Sequence, residues 1–225
     1  MKMIEAWVEG ATPILLHRAT EEALTGGKPG GSTGSRPNTV AAPEDPRTIA
    51  NKAVYRFADK QLALPGAAFM RLLRESGSNH KARGQRKSLK YIVPAAVLVM
   101  DELCGLYMHD RKTKVIDFEV DSRPVTIPAT KGRVMRYRAR LNEWACKVVL
   151  RVNDDLLDTA LVRQLLSEGV QQIGLGDFRP EKGGPFGTAD LVSWEVMTKA
   201  PLTSAQKRNG KGQIEAYDAA ATTAG

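Results

Sequence analysis

The chain has 225 residues, a formal net charge of +8 and a sequence pI of about 9.6. This length holds one large domain or one domain with long insertions, and the basic balance favours an anionic partner, most commonly nucleic acid. No stretch approaches the ~20 apolar residues of a membrane-spanning helix, and the N-terminus lacks the apolar core of a signal peptide. We therefore expect a cytoplasmic protein with no membrane partner.

The first half of the chain alternates ordered elements with loops. The run MIEAWVEGA alternates apolar and polar residues and predicts a strand over 2–9. Residues 25–46 are rich in Gly, Ser, Thr and Pro without a periodic apolar face, which predicts a long mobile insertion. VYRF and QLAL predict two short strands, followed by an amphipathic helix over 66–76. YIVPAAVLVM predicts a buried strand over 91–100, in which Pro94 indicates an edge position or a bulge.

The second half repeats the strand, helix, strand order. Residues 101–110 predict a turn and a short extended piece, and 114–141 predict a hairpin-like excursion of two strands. EWACKVVLRV, within 143–153, is the clearest strand of the sequence. A helix with an aspartate at its start follows over 158–170, and TADLVSWEVM predicts the last strand over 188–197.

Two strand–helix–strand sets predict an α+β fold with a ferredoxin-like, RNA-recognition-like antiparallel sheet and helices on one face. The domain spans 1–198, with insertions at about 25–53 and 102–140, and 199–225 form a mobile tail. The free sheet face either binds nucleic acid, as in RNA-recognition modules, or is covered by the insertions.

The stretch GLGDFRPEKGGPFG, residues 174–187, places five glycines between the last helix and the last strand. Such a bend can lie against a phosphate chain and offer bare backbone N–H groups, to which Arg179 and Lys182 would add charge. The same residues also fit a compact loop in which Phe178 and Phe186 pack down and the glycines serve tight turns. A dinucleotide fingerprint or a P-loop does not fit, because this loop leads from helix to strand.

Three stretches resemble the repeat-associated (RAMP) superfamily of CRISPR-associated proteins, and most of all the effector backbone subunit that polymerises along a guide RNA. They are the glycine stretch, ATPILLHR after the first strand, and LALPGAAFMRLLRES at the strand–Pro–helix junction. The resemblance covers about residues 1–197 in the order of elements. It implies an RNA-recognition-like core, an RNA partner, contacts with copies of itself and other subunits, and antiviral defence. A stand-alone relative encoded by a phage resembles this chain equally well.

Basic residues cluster in three places. The loop HKARGQRKSLK carries one cluster, Arg111, Lys112 and Lys114 form the second, and the strand RVMRYRAR carries the third. Such density fits a groove that tracks a phosphate backbone, or else a solvated edge strand protected by its charge. Tyr91 and Tyr137 lie near these charges and either stack on bases or pack in the core. The expected nucleic-acid contacts are Arg18, Lys81, Arg83, Arg86, Lys87, Arg133, Arg136, Arg138, Gly174, Gly176, Arg179, Lys182, Gly183 and Gly184.

Catalytic signatures are weak. Some RAMP relatives cut RNA with a loop acid, but nothing around Glu44 or Asp45 marks either as catalytic. The histidines have no metal-ligand spacing, and Cys104 and Cys146 lack CxxC spacing, which favours two buried thiols. We expect no enzyme activity, no metal and no cofactor.

The sequence thus predicts a non-enzymatic protein that holds the phosphate backbone of single-stranded RNA or DNA, as a polymerising subunit of a CRISPR-like ribonucleoprotein. The alternative is a structural or protein-interaction module of a virion or another assembly.

Overall fold

The computed structural model describes residues 1–19, 44–81, 86–126 and 132–197. Its strands are β1 (Lys2–Gly10), β2 (Ile14–Leu16), β3 (Tyr55–Arg56), β4 (Leu62–Pro65), β5 (Val97–Val99), β6 (Leu103–Tyr107), β7 (Glu119–Thr126), β8 (Arg133–Leu141), β9 (Ala145–Val152) and β10 (Ala189–Met197). Its α-helices are α1 (Pro46–Lys52), α2 (Gly66–Ser76), α3 (Val93–Ala96) and α4 (Thr159–Gln172). Short 3₁₀ turns lie at Gly77–Asn79, Leu89–Tyr91 and Pro180–Lys182.

The main sheet confirms the ferredoxin-like prediction. Its strands run β10-β1-β9-β6-β4-β3, and β5 also pairs with β9. The pairings between these strands are antiparallel. Helix α2 separates β1 from β5 and β6 along the chain, and α4 separates β9 from β10. This is the βαββαβ order, with the first and third core strands side by side at the centre.

Helices cover one face of this sheet. The strands therefore alternate between buried residues, which face the helices, and less buried residues on the other face. Ile4, Ala6 and Val8 of β1 are fully buried, whereas the intervening residues are only partly buried. The apolar face of α2 carries Phe69, Leu72 and Leu73 at helical spacing, and it packs against α4. Burying each side chain of this kind contributes about 1.5–3 kcal/mol, so this shared core anchors both helices.

A second, three-stranded sheet has the order β2-β8-β7. Strands β7 and β8 form the hairpin that the sequence predicts, with Val125 opposite Val134 near its outer end. Helix α1 packs against β8 and β7. Asp45 begins this helix, because its carboxylate accepts a hydrogen bond from the backbone N–H of Thr48 at 3.0 Å.

Three sequence predictions differ from the structure. The strand expected over 91–100 is limited to β5, because Pro94 lies in the first turn of α3, where a fixed φ and a missing N–H are tolerated. Within the expected insertion at 102–140, β6 belongs to the main sheet. The stretch 25–53, expected as one insertion, ends in the ordered helix α1. The Asp45-Pro46 pair at the start of this helix is a helix signal, which an interpretation based on composition overlooks.

Residues 20–43, which include most of the expected mobile insertion, and residues 198–225, which include the expected tail, lie outside the described part of the chain. Within the described part, no helix is long and apolar enough to cross a membrane.

Candidate nucleic-acid interface

Strand β2 brings the two sequence-predicted features together. On one side it pairs with β8, placing Leu15 opposite Arg140. On the other side the carbonyl of Leu15 accepts a hydrogen bond from the N–H of Asp177 at 2.7 Å, so the loop Gly174–Gly187 lies against it. We call this meeting of the glycine loop, β2 and β8 the junction.

The glycine loop is compact, as the second sequence interpretation describes. Four of its glycines have φ between +73° and +77°, a region that other residues rarely adopt. A Cβ on Gly187 would lie 1.8 Å from the carbonyl oxygen of Leu175, so only glycine fits there. Phe178 and Phe186 pack together with ring centroids 6.1 Å apart. Gly183 is different, because a Cβ there would meet nothing within 4 Å.

Most backbone donors of the loop are already used inside the protein. The N–H of Leu175 donates to Gly187, that of Gly187 to Pro13, and that of Gly184 to Arg179. The N–H groups of Lys182 and Gly183 also donate to carbonyls of the same turn. The loop therefore offers few bare N–H groups, and its contribution to a binding surface comes chiefly from shape and side chains.

Arg138 and Asp177 join the hairpin to the loop. The Nε of Arg138 donates to Oδ2 of Asp177 at 2.7 Å, and the side chain of Arg138 is only 6% exposed. Burial acts to raise the pKa of Asp177, but the hydrogen bond and the charge of Arg138 outweigh it, and the net effect is a lowered pKa. Arg138, one of the expected phosphate contacts, is thus committed to an internal carboxylate.

His17 and Arg136 lie beside this ion pair at the surface. Nη1 of Arg136 lies 3.2 Å from Nε2 of His17, and both residues are exposed. Partial desolvation lowers the pKa of His17; Asp177 opposes the shift, and Arg136 and Arg138 reinforce it. The neutral imidazole is therefore favoured until a further negative charge approaches.

The hairpin register decides which arginines carry uncompensated charge. Asp121 of β7 stands opposite Arg138, whereas Arg123 stands opposite Arg136. Asp121 is buried and accepts a hydrogen bond from Nε of Arg123 at 2.8 Å. The inner part of the hairpin is therefore charge-balanced, and its positive charge lies toward the outer end, where Arg133 and Arg136 are exposed.

A cleft of about 210 Å³ opens next to the junction, between the end of β2, the start of α2 and the glycine loop. Its lining includes buried Leu64, Leu72 and Leu175. His17 also lines the cleft, together with four charged residues, Arg18, Arg71, Arg179 and Glu181.

These arginines are held in place. Glu181 pairs with both Arg71 and Arg179, and Arg179 also donates to the carbonyl of Gly176 at 2.7 Å. The guanidinium of Arg18 lies over the ring of Tyr55 at 5.1 Å. Three arginines against one carboxylate leave the cleft positive above an apolar floor. Such a site can hold a flat ring together with an anionic group.

Other expected contacts lie elsewhere. Lys81, Arg86 and Lys87 follow the C-terminal end of α2, whereas the cleft is lined by residues of its first two turns. Arg83 lies outside the described residues. Lys182 and Gly183 are exposed at the tip of the glycine loop. Gly174, Gly176 and Gly184 lie close to Pro180, Leu15 and Phe178, respectively.

The helix-free face of the main sheet has a different character. Trp7 and Tyr107 stack edge to face there, with centroids 5.3 Å apart. Lys147 lies 3.6 Å from Glu5, and Arg111 lies 3.5 Å from Glu9. Acids and bases alternate on this face, so it lacks the net positive charge of the junction.

Sequence reasoning missed the acidic partners that organise the site. Asp177 and Glu181 stand inside the quoted glycine stretch, but nothing in their spacing reveals the distant arginines they bind. Glu44 and Asp45 have structural roles, in an ion pair with Lys52 and in the cap of α1, respectively. Cys104 and Cys146 are buried free thiols, as predicted. The part of the chain that the structure describes has no group of three or more metal-binding side chains.

No family model and no curated protein matches the chain by sequence. Solved structures with a similar fold do exist. A chain of the type III-B Cmr-β complex bound to cognate target RNA, solved by cryo-electron microscopy, has a TM-score of 0.54 at 9% identity. The match covers 87% of this protein but only 60% of that chain.

Two weaker likenesses accompany it. The crystal structure of Cmr6 from Pyrococcus furiosus has a TM-score of 0.44 at 10% identity, covering 84% of this chain and 98% of that one. A chain of a type IV-B CRISPR complex has a TM-score of 0.42 at 12% identity, covering 88% and 92%. The protein has an α+β fold that is similar to the fold of this Cmr-β chain.

Proposed function

We propose that the protein is a CRISPR-associated RNA-binding subunit that holds the backbone of a single strand at the junction and catalyses no reaction. The observation that carries this proposal is the convergence of the glycine loop and the arginine strand on β2. Arg136, His17 and Arg18 stand at the surface of this convergence. Phosphates would meet these three side chains, and the adjacent cleft would accept a base.

Side-by-side assembly belongs to the same proposal. The neighbour with the similar fold comes from a type III-B Cmr-β structure bound to cognate target RNA. The outer end of the hairpin exposes Val134 and Met135, by 38% and 52%, which suits contact with another subunit. A nucleic-acid strand that binds several neighbouring copies of the protein would gain affinity from each copy.

The same exposed residues favour a second candidate, a module that binds proteins only. At the junction, Arg138 and Arg179 are already paired with carboxylates, so part of the charge serves the fold. In this alternative the hairpin end would grip a neighbouring subunit and no nucleic acid would bind.

Binding of uridine and thymidine homopolymers, followed by fluorescence anisotropy between about 50 and 200 mM salt, tests the proposal. The expected result is salt-dependent binding that Arg18→Ala/Arg136→Ala weakens at least about tenfold, with a shallower salt slope. Lys60→Ala/Arg151→Ala removes two exposed positive charges elsewhere and is the matched control. No binding of either strand at low salt would favour the protein-binding module, and electron microscopy with and without RNA would detect assembly.

A further inference from the structure

A second basic surface lies beyond the C-terminal end of α2. We propose that Tyr91, with Lys81, Arg86 and Lys87, is a second contact for the same single-stranded nucleic acid, in which a base stacks on the tyrosine ring and the cations meet phosphates. This inference depends on the proposed function and adds to it a separate site. We call these four residues the tyrosine patch.

The ring of Tyr91 is presented to solvent from a rigid base. Tyr91 is 66% exposed, yet its neighbours Leu89 and Val93 are buried. The hydroxyl of Ser88 accepts a hydrogen bond from the N–H of Lys90 at 3.2 Å, and the N–H of Leu89 donates to His80 at 2.9 Å. An ordered aromatic ring held out of the core loses little conformational entropy when a base stacks on it.

The cations of the patch are not neutralised by any carboxylate of the described residues. Within the described ranges, Lys81, Arg86 and Lys87 are exposed and form no ion pair. Nζ of Lys87 lies 5.7 Å from the centroid of the Tyr91 ring. Lys90, by contrast, is paired with Glu75 at 2.9 Å.

The combination of an exposed ring and cations that form no ion pair with the described residues indicates the kind of occupant. Single-stranded nucleic acid supplies both a flat base and regularly spaced phosphates, and proteins bind it through stacking platforms in positive grooves. An acidic peptide would satisfy the cations but has no need of the ring face.

The tyrosine patch is spatially distinct from the junction. Helix α2 has 11 residues and is therefore about 16 Å long; its first two turns, with Ala68, Arg71 and Leu72, line the cleft, and the patch lies beyond its last turn. A strand that reaches both surfaces gains affinity through effective concentration, whereas an oligonucleotide too short to span them gains nothing.

The test measures binding of a long uridine homopolymer to the full chain and to variants of Tyr91. Tyr91→Ala is expected to weaken binding about tenfold, whereas Tyr91→Phe, which keeps the stacking face, stays within about twofold of the wild type. Arg86→Ala/Lys87→Ala is expected to make the slope of log K against log salt less negative by about 1.4. Lys60→Ala/Arg151→Ala is the charge-matched control, and circular dichroism checks that each variant is folded.

The outcomes separate the two proposals. If the wild type binds the strand and Tyr91→Ala binds it equally well, the tyrosine patch is wrong and the junction stands. If polyglutamate binds with the same dependence on Arg86 and Lys87 and the ring is irrelevant, the patch is a surface for acidic proteins and the proposal is overturned. If the wild type binds no strand, both proposals fail.

Discussion

Arg138 and Asp177 lie 39 residues apart in the chain and form a 2.7 Å hydrogen bond between a hairpin strand and the glycine loop. The bond uses the arginine that sequence pattern assigns to phosphate, and it fixes the loop beside the hairpin. Arg136, two residues away, remains at the surface next to His17. Strand β8 therefore contributes Arg138 to the contact that holds the glycine loop and Arg136 to the candidate interface.

Removing the carboxylate of Asp177 should destabilise the fold. Asp177→Asn leaves the buried guanidinium of Arg138 without this counter-charge. We expect the free energy of unfolding to fall by about 2 kcal/mol. The loss is smaller than for a fully buried ion pair because the side chain of Asp177 is partly exposed. Urea denaturation measures the change. Asp155→Asn, at an exposed carboxylate, is the matched control and should change stability by less than about 0.5 kcal/mol. Equal effects of the two variants would show that the ion pair does not anchor the loop.

The stability of the fold should decrease in two separate pH ranges as the pH is lowered. The pKa of His17 is lowered below 6.5 in the folded state, so the unfolded chain binds the proton first and stability declines as pH falls below about 6.5. The pKa of Asp177 is lowered below 3.8, so its contribution is present above that value and is lost as pH falls through the folded-state pKa. Denaturation experiments across this pH range should show no decline in stability just below pH 6.5 in His17→Gln. If the decline persists in this variant, groups other than His17 cause it.

Binding of nucleic acid should respond to pH in the opposite direction. A phosphate beside His17 favours the imidazolium form, so binding takes up a proton and tightens by roughly threefold to tenfold between about pH 7.5 and pH 6. Anisotropy titrations of the wild type and His17→Gln measure this difference. A pH response that survives in His17→Gln would place the phosphate elsewhere.

Two glycines of the loop offer a matched pair of substitutions. Gly183 and Gly187 have nearly the same φ, +73° and +74°, but only Gly187 has a backbone oxygen 1.8 Å from its would-be Cβ. Gly183→Ala should therefore cost about 1 kcal/mol through strain alone, and Gly187→Ala at least about 2 kcal/mol more. Thermal denaturation compares them. Similar costs would mean that the loop is looser than its contacts indicate.

The order of elements was readable from the sequence because the helix and strand periods are strong in this chain. Helix α2 matches the range predicted from the spacing of Phe69, Leu72 and Leu73. Strand β6 was harder to predict, since LCGLY combines a cysteine and a glycine and shows little alternation. Its position beside β9 comes from tertiary pairing, which propensity does not encode.

The candidate site was only half readable. Arginines at alternate positions predict a charged strand face, but the acids that neutralise its inner end lie on β7 and in the glycine loop, at distances set by register. Likewise, Tyr91 could not be placed in the core or at the surface from its neighbours alone. In the structure Leu89 and Val93 on either side of it are buried, and the 3₁₀ turn at Leu89–Tyr91 directs its ring outward.

The most direct test of the central claim is photo-crosslinking of a uridine homopolymer to the full chain, followed by mass spectrometry of the adducts. The account predicts adducts on the peptides that carry His17, Arg18 and Arg136, the exposed side chains of the junction. Adducts confined to the helix-free face around Trp7 and Tyr107, with the junction unlabelled, would contradict it.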